Sequence, residues 1–284
     1  MNVLVTGAAG RLGSRLVELY SENDCDVRAF DLPFVNWEHI EKIKRVESFS
    51  GDITDPRVVS QACVDVDVIV HLAAILPPNS ESNRDTTLRV NVEGTRNILE
   101  NIETDTVLIL ASSISAYGIT HSELPPIRED HPLQSHNNYS ESKIEAERLI
   151  EASDVPYVIL RVAPIAVADL LELPDVVPYR ADQRVEFLDV EDAAHAFHQA
   201  SMNPKGGGKT LNVAGGESWQ MTGSEYIEEF YGALGIDVEP NYSENYTAVD
   251  WYDTMKGEFL GYQRTSFNDF KGKLNSIAEE LGLI

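Results

Sequence analysis

The 284-residue sequence predicts an α/β fold, in which helices cover both faces of a doubly wound parallel sheet and C-terminal segments add a small cap. Through roughly the first 160 residues, short apolar runs alternate with helical patterns, which is typical of repeated strand-helix-strand units. After Arg161 this rhythm breaks and prolines become frequent. We therefore predict a first domain over residues 1–162, which also receives segments near 185–215, and a discontinuous cap over 163–284.

The short apolar runs of the first domain are predicted to be strands, because strands buried on both faces of a parallel sheet are apolar throughout. These runs are residues 2 to 6, 27 to 31, 45 to 50, 67 to 72, 106 to 111 and 157 to 162. Helical spacing is seen between them, for example at Leu12, Leu16 and Leu19. Beyond the first domain we expect a helix from about Val190, a strand at 210 to 214, and helices at 223 to 234 and 269 to 281.

The composition excludes several classes of partner. The formal charge of −25, from 47 acidic and 22 basic residues, would repel DNA, RNA and anionic membranes, so neither a nucleic acid nor a membrane is an expected partner. Only 8 of the 22 basic residues are lysines, and this shortage resembles that of proteins from salt-loving archaea. A halophilic source is therefore one hypothesis, and ordinary acidity is the other.

Targeting, disulfide and metal signals are weak. Met1 leads directly into an apolar strand with no signal-peptide pattern, which favours a cytoplasmic location. Cys25 and Cys63 are too few for a disulfide framework and are predicted to be buried apolar groups. His195 and His198 have helical spacing but no evident third ligand, so no metal site is predicted.

A glycine-rich segment, Thr6 to Gly13, follows the first strand and opens the first helix. Gly7 permits a tight turn, Gly10 lets the backbone approach a pyrophosphate, and Gly13 lets helix and strand pack closely. A diphosphate would then lie at the helix N-terminus, where free N–H groups and the helix dipole favour an anion. The segment predicts a dinucleotide-binding sheet of the Rossmann type.

An acidic residue, Asp31, ends the second predicted strand and lies 18 residues beyond Gly13. A carboxylate at this place accepts hydrogen bonds from the ribose hydroxyls and repels a 2'-phosphate, so NAD is expected in preference to NADP. Arg11 and Arg28 could compensate part of that repulsion. A solvated loop carboxylate is the alternative interpretation of Asp31.

Tyr139 and Lys143 are four residues apart, which places both side chains on one face of a helix. The ammonium group could lower the pKa of the phenol from about 10 towards neutrality, because a nearby positive charge favours phenolate. Tyr139 would then act as a general base for an alcohol proton during hydride transfer, and as the acid in the reverse step. This pair predicts a redox enzyme.

Taken together, the motifs resemble the extended short-chain dehydrogenase/reductase family, also called the NAD-dependent epimerase/dehydratase family. The resemblance covers roughly the first 195 residues and rests on blocks that occur in the family's order. These are the glycine-rich segment and Gly51-Asp52-Ile53-Thr54-Asp55, His71-Leu72-Ala73-Ala74, Asn91-Val92-Glu93-Gly94-Thr95, Ser112-Ser113 before Tyr117-Gly118, Tyr139 with Lys143, and residues 184 to 192.

The resemblance implies a role for each block. Ser113 falls where the family places its catalytic Ser or Thr, so Ser113, Tyr139 and Lys143 form the expected catalytic group. Asp52 and Ile53 are expected to flank the adenine, and Asn91 is expected to tie a helix to the neighbouring strand. The other residues expected along the cofactor are Gly7, Ala9, Gly10, Arg11, Leu12, Gly13, Asp31, Leu72, Ala73 and Ala74.

Two departures from the family pattern narrow the expected activity. Ile114 and Ser115 stand where dehydratase relatives carry acidic residues, which disfavours elimination chemistry. The segment between Arg161 and Arg184 is short. Relatives that bind nucleotide sugars hold the nucleotide with a longer segment at this place, so this chain is expected to have a reduced nucleotide-binding region. We therefore expect an NAD-dependent oxidoreductase acting on a sugar, a polyol or another hydroxy or keto compound. A nucleotide-sugar 4-epimerase and a non-catalytic NAD-binding regulator are the alternatives.

Two expectations concern surfaces. By analogy with the family, helices around residues 87 to 102 and 139 to 152 are expected to form a homodimer interface. Four aromatic residues of the C-terminal region could line a substrate pocket, although aromatic residues more often belong to a core. They are Trp219, Tyr246, Trp251 and Tyr252.

Overall fold

A computed structural model describes residues 1–168, 174–203 and 207–284. The seven longer strands are β1 (Asn2–Thr6), β2 (Asp26–Asp31), β3 (Val46–Ser50), β4 (Val68–His71), β5 (Val107–Ser113), β6 (Tyr157–Val162) and β10 (Lys209–Val213). Four two-residue strands lie in the C-terminal half: β7 (Ile165–Ala166), β8 (Arg184–Val185), β9 (Leu188–Asp189) and β11 (Met221–Thr222). Seven of these strands form one sheet in the order β10-β6-β5-β4-β1-β2-β3, and every neighbouring pair in it is parallel. The predicted doubly wound parallel sheet is confirmed.

Helices cover both faces of this sheet. The α-helices are α1 (Arg11–Glu22), α2 (Pro56–Ala62), α3 (Arg84–Leu88), α4 (Gly94–Asn101), α5 (Asn138–Glu151), α6 (Val190–Met202), α7 (Gly223–Ala233) and α8 (Phe267–Glu280). The last two pack in a C-terminal apolar cluster instead of on the sheet. A wider π turn, Arg89–Glu93, joins α3 to α4. The predicted helix ends lie within a few residues of these bounds.

Two apolar layers hold the helices to the sheet. On one face, Leu16 and Tyr20 of α1 and Phe197 of α6 belong to a buried cluster with the sheet residues. On the other face, Ile98 of α4 and Ile150 of α5 belong to a second cluster. Each of these four helices presents an apolar stripe to the sheet. Burial of such a stripe is favourable, because apolar surface removed from water stabilises the fold by roughly 25 cal/mol per Å².

The strand order places the carboxyl ends of β1, β2, β4 and β5 along one edge of the sheet. β1 lies between β2 and β4, so the chain leaves β1 towards one side and later crosses to the other. A crevice opens at such a reversal, and ligands of α/β proteins bind there. The predicted site motifs end strands at this edge: Thr6 ends β1, Asp31 ends β2 and Ser113 ends β5.

The C-terminal segments collect around a third apolar cluster. At its centre, Trp219 is fully buried and its ring contacts those of Phe267 and Phe270. Tyr252 is also buried, in the cluster beside α1 and α6. The suggestion that Trp219 and Tyr252 line a substrate pocket is therefore wrong, because their rings fill the core.

The remaining two aromatic residues of that suggestion are partly exposed. The Tyr246 ring stacks on His121 with 3.7 Å between ring centroids, and the Trp251 indole N–H donates to the Met221 carbonyl.

Within the described ranges, no helix combines the length and the apolar character that crossing a bilayer requires.

A buried carboxylate joins three C-terminal segments. Glu186, between β8 and β9, accepts hydrogen bonds from the backbone N–H of Gly216, the side chain of Gln220 and the backbone N–H of Tyr252. Burial raises the pKa of Glu186 to about 7, and these three donors oppose the shift. The carboxyl group therefore acts as a shared anchor for the segments around it.

Candidate functional site

The glycine-rich segment forms a tight turn between β1 and α1. Gly7 has a φ of +71°, a conformation that side chains disfavour, and a Cβ on it would lie 3.0 Å from the Ala73 backbone nitrogen. A Cβ on Gly13 would lie 2.1 Å from the Gly7 carbonyl oxygen. The chain folds this way because only glycine allows helix, turn and neighbouring loop to approach so closely.

This turn suits a dinucleotide. Gly10 caps α1 without a side-chain hydrogen bond, so the first N–H groups of the helix are not covered by a capping side chain. A helix start of this kind favours a phosphate. The residues present therefore fit the pyrophosphate of NAD, with Gly7, Ala9, Gly10, Arg11, Leu12 and Gly13 forming its cradle.

Asp31 lies beside this cradle at the end of β2. Its carboxylate accepts hydrogen bonds from the Ala9 N–H at 2.9 Å and from the Leu32 N–H at 2.8 Å. Each carboxylate oxygen can accept a further hydrogen bond. The carboxylate therefore fixes the glycine-rich turn and keeps capacity for a ribose hydroxyl.

Arg28 does not accompany Asp31. Its guanidinium donates to the carbonyls of Ala62 and Val64 and to Glu47, so it is held near the amino ends of the strands. The compensation of 2'-phosphate repulsion suggested for Arg28 is therefore wrong, because strand alternation directs this side chain elsewhere.

The next two groups of predicted cofactor contacts follow β3 and β4. Asp52 accepts hydrogen bonds from the backbone N–H and hydroxyl of Thr54, which shapes the turn after β3. Ile53 is buried and would contact a Cβ placed on Gly94 of α4. The half-buried residues that continue from β4 along the crevice are Leu72, Ala73 and Ala74.

The predicted catalytic side chains meet at the carboxyl end of β5. Ser113 ends this strand, and its hydroxyl lies close enough to the Tyr139 phenol to lower the pKa of that group. The Lys143 ammonium lies 5.6 Å from the centroid of the Tyr139 ring and donates to the Ala111 carbonyl at 2.8 Å. Helix α5 presents both residues because a capping box formed by Asn137 and Ser140 fixes its start.

The electrostatics of this group differ from the prediction. Burial raises the pKa of Tyr139 to about 12, and the nearby Ser113 hydroxyl only opposes the shift. The predicted fall of this pKa towards neutrality is wrong, because Lys143 lies over the ring and is bonded to a strand carbonyl instead of to the phenol oxygen. Burial also lowers the pKa of Lys143 to about 8.

A chain of buried hydrogen bonds runs beneath the glycine-rich turn. Thr6 accepts the Ala73 N–H at 3.2 Å, and its hydroxyl lies 2.7 Å from Nδ1 of His71. On the other side of the ring, Nε2 lies 3.1 Å from the Thr95 hydroxyl, which itself donates to the Asn91 carbonyl. Burial lowers the pKa of His71 to about 3, so the ring is neutral and has one donor and one acceptor nitrogen.

Asn91 continues this chain to α5. Its amide both accepts from and donates to the backbone of Ile75, and it donates to the Ser142 hydroxyl at 2.9 Å. Ser142 in turn donates to the Tyr139 carbonyl. The amide therefore ties the loop after β4 to α5, and its burial makes it a support of the site.

Sequence reasoning missed Glu147 and Arg161 as parts of this site. Glu147 lies on α5 one turn beyond Lys143, and Arg161 of β6 holds its carboxylate with a distance of 2.7 Å from Nη2 to Oε2. Glu147 continues the four-residue spacing of Tyr139 and Lys143, and that continuation was the available signal.

The residues after Ser113 carry no carboxylate, as the sequence shows. Ile114 is buried in the core, and the Ser115 hydroxyl oxygen is buried without a hydrogen-bond partner among the described residues. Across the described parts of the chain, no group of three or more His, Cys, Asp or Glu residues could hold a metal ion.

Curated relatives match about half of the chain. D-erythronate dehydrogenase of Cupriavidus necator is 30% identical over 163 residues, which are 53% of this chain and 49% of that protein. N-acetyl-alpha-D-glucosaminyl-diphospho-ditrans,octacis-undecaprenol 4-epimerase of Escherichia coli O157:H7 is 31% identical over 153 residues, 52% of this chain and 42% of the other. The matched region thus spans about half the length of these relatives.

Solved structures match the whole fold. UDP-glucose 4-epimerase of Thermotoga maritima covers 100% of both chains with a TM-score of 0.84 and 20% identity. A short-chain dehydrogenase/reductase superfamily protein of Agrobacterium tumefaciens with bound NAD covers 100% of this chain and 98% of its own, with a TM-score of 0.82 and 20% identity. At such identities the likeness shows a shared fold.

The family comparison is more direct. The profile of the NAD dependent epimerase/dehydratase family matches residues 3–166, which include the glycine-rich turn, Ser113, Tyr139 and Lys143. The resemblance predicted from the sequence is confirmed, and this chain belongs to the NAD dependent epimerase/dehydratase family of extended short-chain dehydrogenases/reductases.

Proposed function

We propose that the protein is an NAD-dependent oxidoreductase that transfers hydride between nicotinamide and a sugar, a polyol or another hydroxy or keto compound. The observation that carries this proposal is the clustering of Ser113, Tyr139 and Lys143 at the carboxyl end of β5, with Lys143 one helical turn from Tyr139, at the sheet edge that also holds the glycine-rich turn. The names of the curated relatives, a dehydrogenase and an epimerase among them, support hydride chemistry.

NAD would supply the hydride acceptor, and NADH the hydride donor, for this reaction. The residues that would hold the cofactor are the glycine-rich turn at the pyrophosphate, Asp31 at the adenosine ribose, and Lys143 at the nicotinamide ribose. The Asp31 carboxylate supports NAD over NADP because it would repel a 2'-phosphate.

Tyr139 supplies the proton in the reducing direction. Because its pKa is raised to about 12, the phenol is protonated at neutral pH and can donate to the substrate carbonyl oxygen as hydride reaches the carbonyl carbon. Ser113 holds that oxygen close to the phenol. In the oxidising direction Tyr139 must first lose its proton, and burial of the phenol opposes that loss at neutral pH.

A nucleotide-sugar 4-epimerase is the second candidate, because the same three side chains suffice for oxidation to a ketone and return of the hydride. The Escherichia coli relative, named a 4-epimerase, favours this candidate. Accumulation of NADH with a free sugar, polyol or hydroxy acid supports the dehydrogenase. Interconversion of a nucleotide sugar without net NADH supports the epimerase.

The Tyr139→Phe variant tests the role of the phenol. It removes one oxygen, so cofactor affinity should stay close to that of the wild type while turnover falls by roughly 10²- to 10⁴-fold. NADH fluorescence during incubation with a substrate panel measures turnover, and titration with NAD measures affinity. Tyr157→Phe is the matched control, because Tyr157 starts β6 at the opposite edge of the sheet.

Two outcomes would contradict the proposal. Full turnover in the Tyr139→Phe variant would remove the phenol from the mechanism. Binding of NAD by the wild type with no turnover across a broad panel would favour the third alternative, a cofactor-binding regulator.

We further propose that the protein forms a homodimer through α4 and α5. The support is that the outer faces of both helices are exposed, with Arg96 on one and Arg148 on the other. Sedimentation of the purified chain would give its mass, and a monomer would overturn the proposal.

A further inference from the structure

The last residues of β5 are joined to one face of α5 by side-chain hydrogen bonds. The carbonyl of the first accepts from a lysine, the hydroxyl of the second donates to a carboxylate, and the hydroxyl of the third lies near a phenol. The pairs are Ala111 with Lys143, Ser112 with Glu147, and Ser113 with Tyr139. The helix residues are four apart, so strand and helix are fixed in one register.

Glu147 is the most deeply buried of the charged groups in this contact. Its residue surface is 0% exposed. Arg161 of β6 approaches it with two nitrogens, Nη2 at 2.7 Å and Nε at 3.0 Å from carboxylate oxygens. A further guanidinium nitrogen donates to the Tyr117 hydroxyl. The carboxylate is therefore held in one place, since both of its oxygens are engaged.

Lys143 is buried one helical turn before Glu147 on α5. The residue is 4% exposed, and such burial disfavours an ammonium charge unless a negative group compensates. The groups around it differ in charge. Tyr139 and His71 are neutral at pH 7 because of their shifted pKa values, and Arg161 is a cation beyond the carboxylate. Glu147 is thus the negative group that opposes the effect of burial on the pKa of Lys143.

We propose that Glu147 is a positioning residue for the catalytic site, which keeps Lys143 in its charged form and fixes α5 against β5, with Arg161 and Ser112 holding its carboxylate. Its importance for turnover rests on the proposed function. Its effect on the charge of Lys143 does not, because that effect is present in the protein without substrate.

The direct test is the titration of Lys143 by NMR of the lysine side chains. The chain has 8 lysines, and Lys143→Arg identifies the signal that belongs to Lys143. In Glu147→Gln the midpoint should fall by about one pH unit, which is about a tenfold loss of proton affinity. Glu145→Gln is the matched control, because it removes an exposed carboxylate from the same helix and should leave the midpoint unchanged.

The Glu147→Gln variant leaves the buried Arg161 without its partner, which can prevent folding. The double variant Glu147→Gln with Arg161→Gln removes both charges and avoids that cost. Its Lys143 midpoint should also fall, because Glu147 is the charge that raises the pKa of Lys143. An unchanged midpoint in whichever variant folds would overturn the inference.

The pH profile of turnover provides a second readout. If the enzyme is active, the alkaline limb of kcat/KM should move to lower pH in Glu147→Gln by the same amount as the Lys143 midpoint. A purely structural role would lower kcat without moving that limb. If the wild type is inactive but the Lys143 midpoint falls in Glu147→Gln, the proposed function is contradicted and the inference stands. If the wild type is active but the Lys143 midpoint does not move in Glu147→Gln, the inference is contradicted and the proposed function stands.

Discussion

His71 shows how a single side chain can set the acid limit of this fold. The ring lies between two hydroxyl groups, those of Thr6 and Thr95, and burial lowers its pKa to about 3. A group whose folded-state pKa is depressed contributes stability above its unfolded pKa of about 6.5 and loses that contribution as the pH falls. The neutral ring therefore links the end of β1 to α4 only while it stays unprotonated.

We predict that the wild type loses stability between pH 6.5 and pH 3 partly through His71. Replacement by Gln removes this titration, so the decline below pH 6.5 should become shallower by up to about 1.4 kcal/mol per pH unit. Urea unfolding at several pH values measures the slope. His39→Gln is the control, because His39 is exposed. Equal slopes in the wild type and His71→Gln would rule out this contribution.

At the residue scale, the sequence predicted which side chains meet at the end of β5 but not their electrostatics. The four-residue spacing of Tyr139 and Lys143 predicted a shared helix face, and the structure places them on one. The pKa of Tyr139 depends on how deeply packing buries the phenol and on where the ammonium points, neither of which local spacing encodes. Arg161 lies on β6 and Glu147 lies on α5, so only the folded chain reveals that they form a pair.

At the scale of secondary-structure elements, the close approach of β1 and α1 depends on one atom that Gly13 lacks. A Cβ at this position would lie 2.1 Å from the Gly7 carbonyl oxygen, a distance that requires the backbone to move. Gly272 is a contrasting helical glycine, because a Cβ there would meet nothing within 4 Å. The two positions separate steric cost from helix propensity.

We predict opposite effects of alanine at these positions. Gly13→Ala should destabilise the protein by roughly 1–3 kcal/mol through overpacking and should also weaken NAD binding, because the turn must move. Gly272→Ala lies in the interior of α8 and should stabilise it by roughly 0.5–1 kcal/mol, since alanine loses less backbone entropy. Thermal unfolding and NAD titration of both variants are the measurements. Equal stability of Gly13→Ala and the wild type would contradict the steric argument.

Element positions were predictable where one local signal dominated. The first strand is observed at Asn2–Thr6, as its apolar run predicted. β4 ends at His71, one residue before the predicted end, because Leu72 already belongs to the loop that passes the glycine-rich turn. The widened turn Arg89–Glu93 has no signature in the sequence, because it depends on the tertiary hydrogen bonds of Asn91.

At the scale of the whole molecule, net charge is the dominant electrostatic feature. With 47 acidic and 22 basic residues, ion pairs can neutralise fewer than half of the carboxylates, and the rest repel one another. Salt screens such repulsion, because the Debye length falls from about 10 Å at 0.1 M to about 3 Å at 1 M.

We predict that molar KCl stabilises the protein relative to dilute buffer. A gain of about 1 kcal/mol would raise the melting temperature by roughly 2–4 °C. Thermal unfolding in a series of KCl concentrations measures the effect, and a series in sucrose separates screening from general exclusion of solutes. A melting temperature that does not change with KCl would count against both the screening argument and the hypothesis of a halophilic source.

The place of β10 has a consequence for synthesis of the protein on the ribosome. This strand is added at the outer side of β6, and its Asn212 accepts the hydrogen bond of the Tyr117 hydroxyl, which Arg161 also contacts. A nascent chain that has emerged only through β6 already contains Ser113, Tyr139 and Lys143, yet it exposes an unpaired strand edge beside them. The surroundings of the site are therefore complete only after the chain through β10, which carries Asn212, has left the ribosomal exit tunnel.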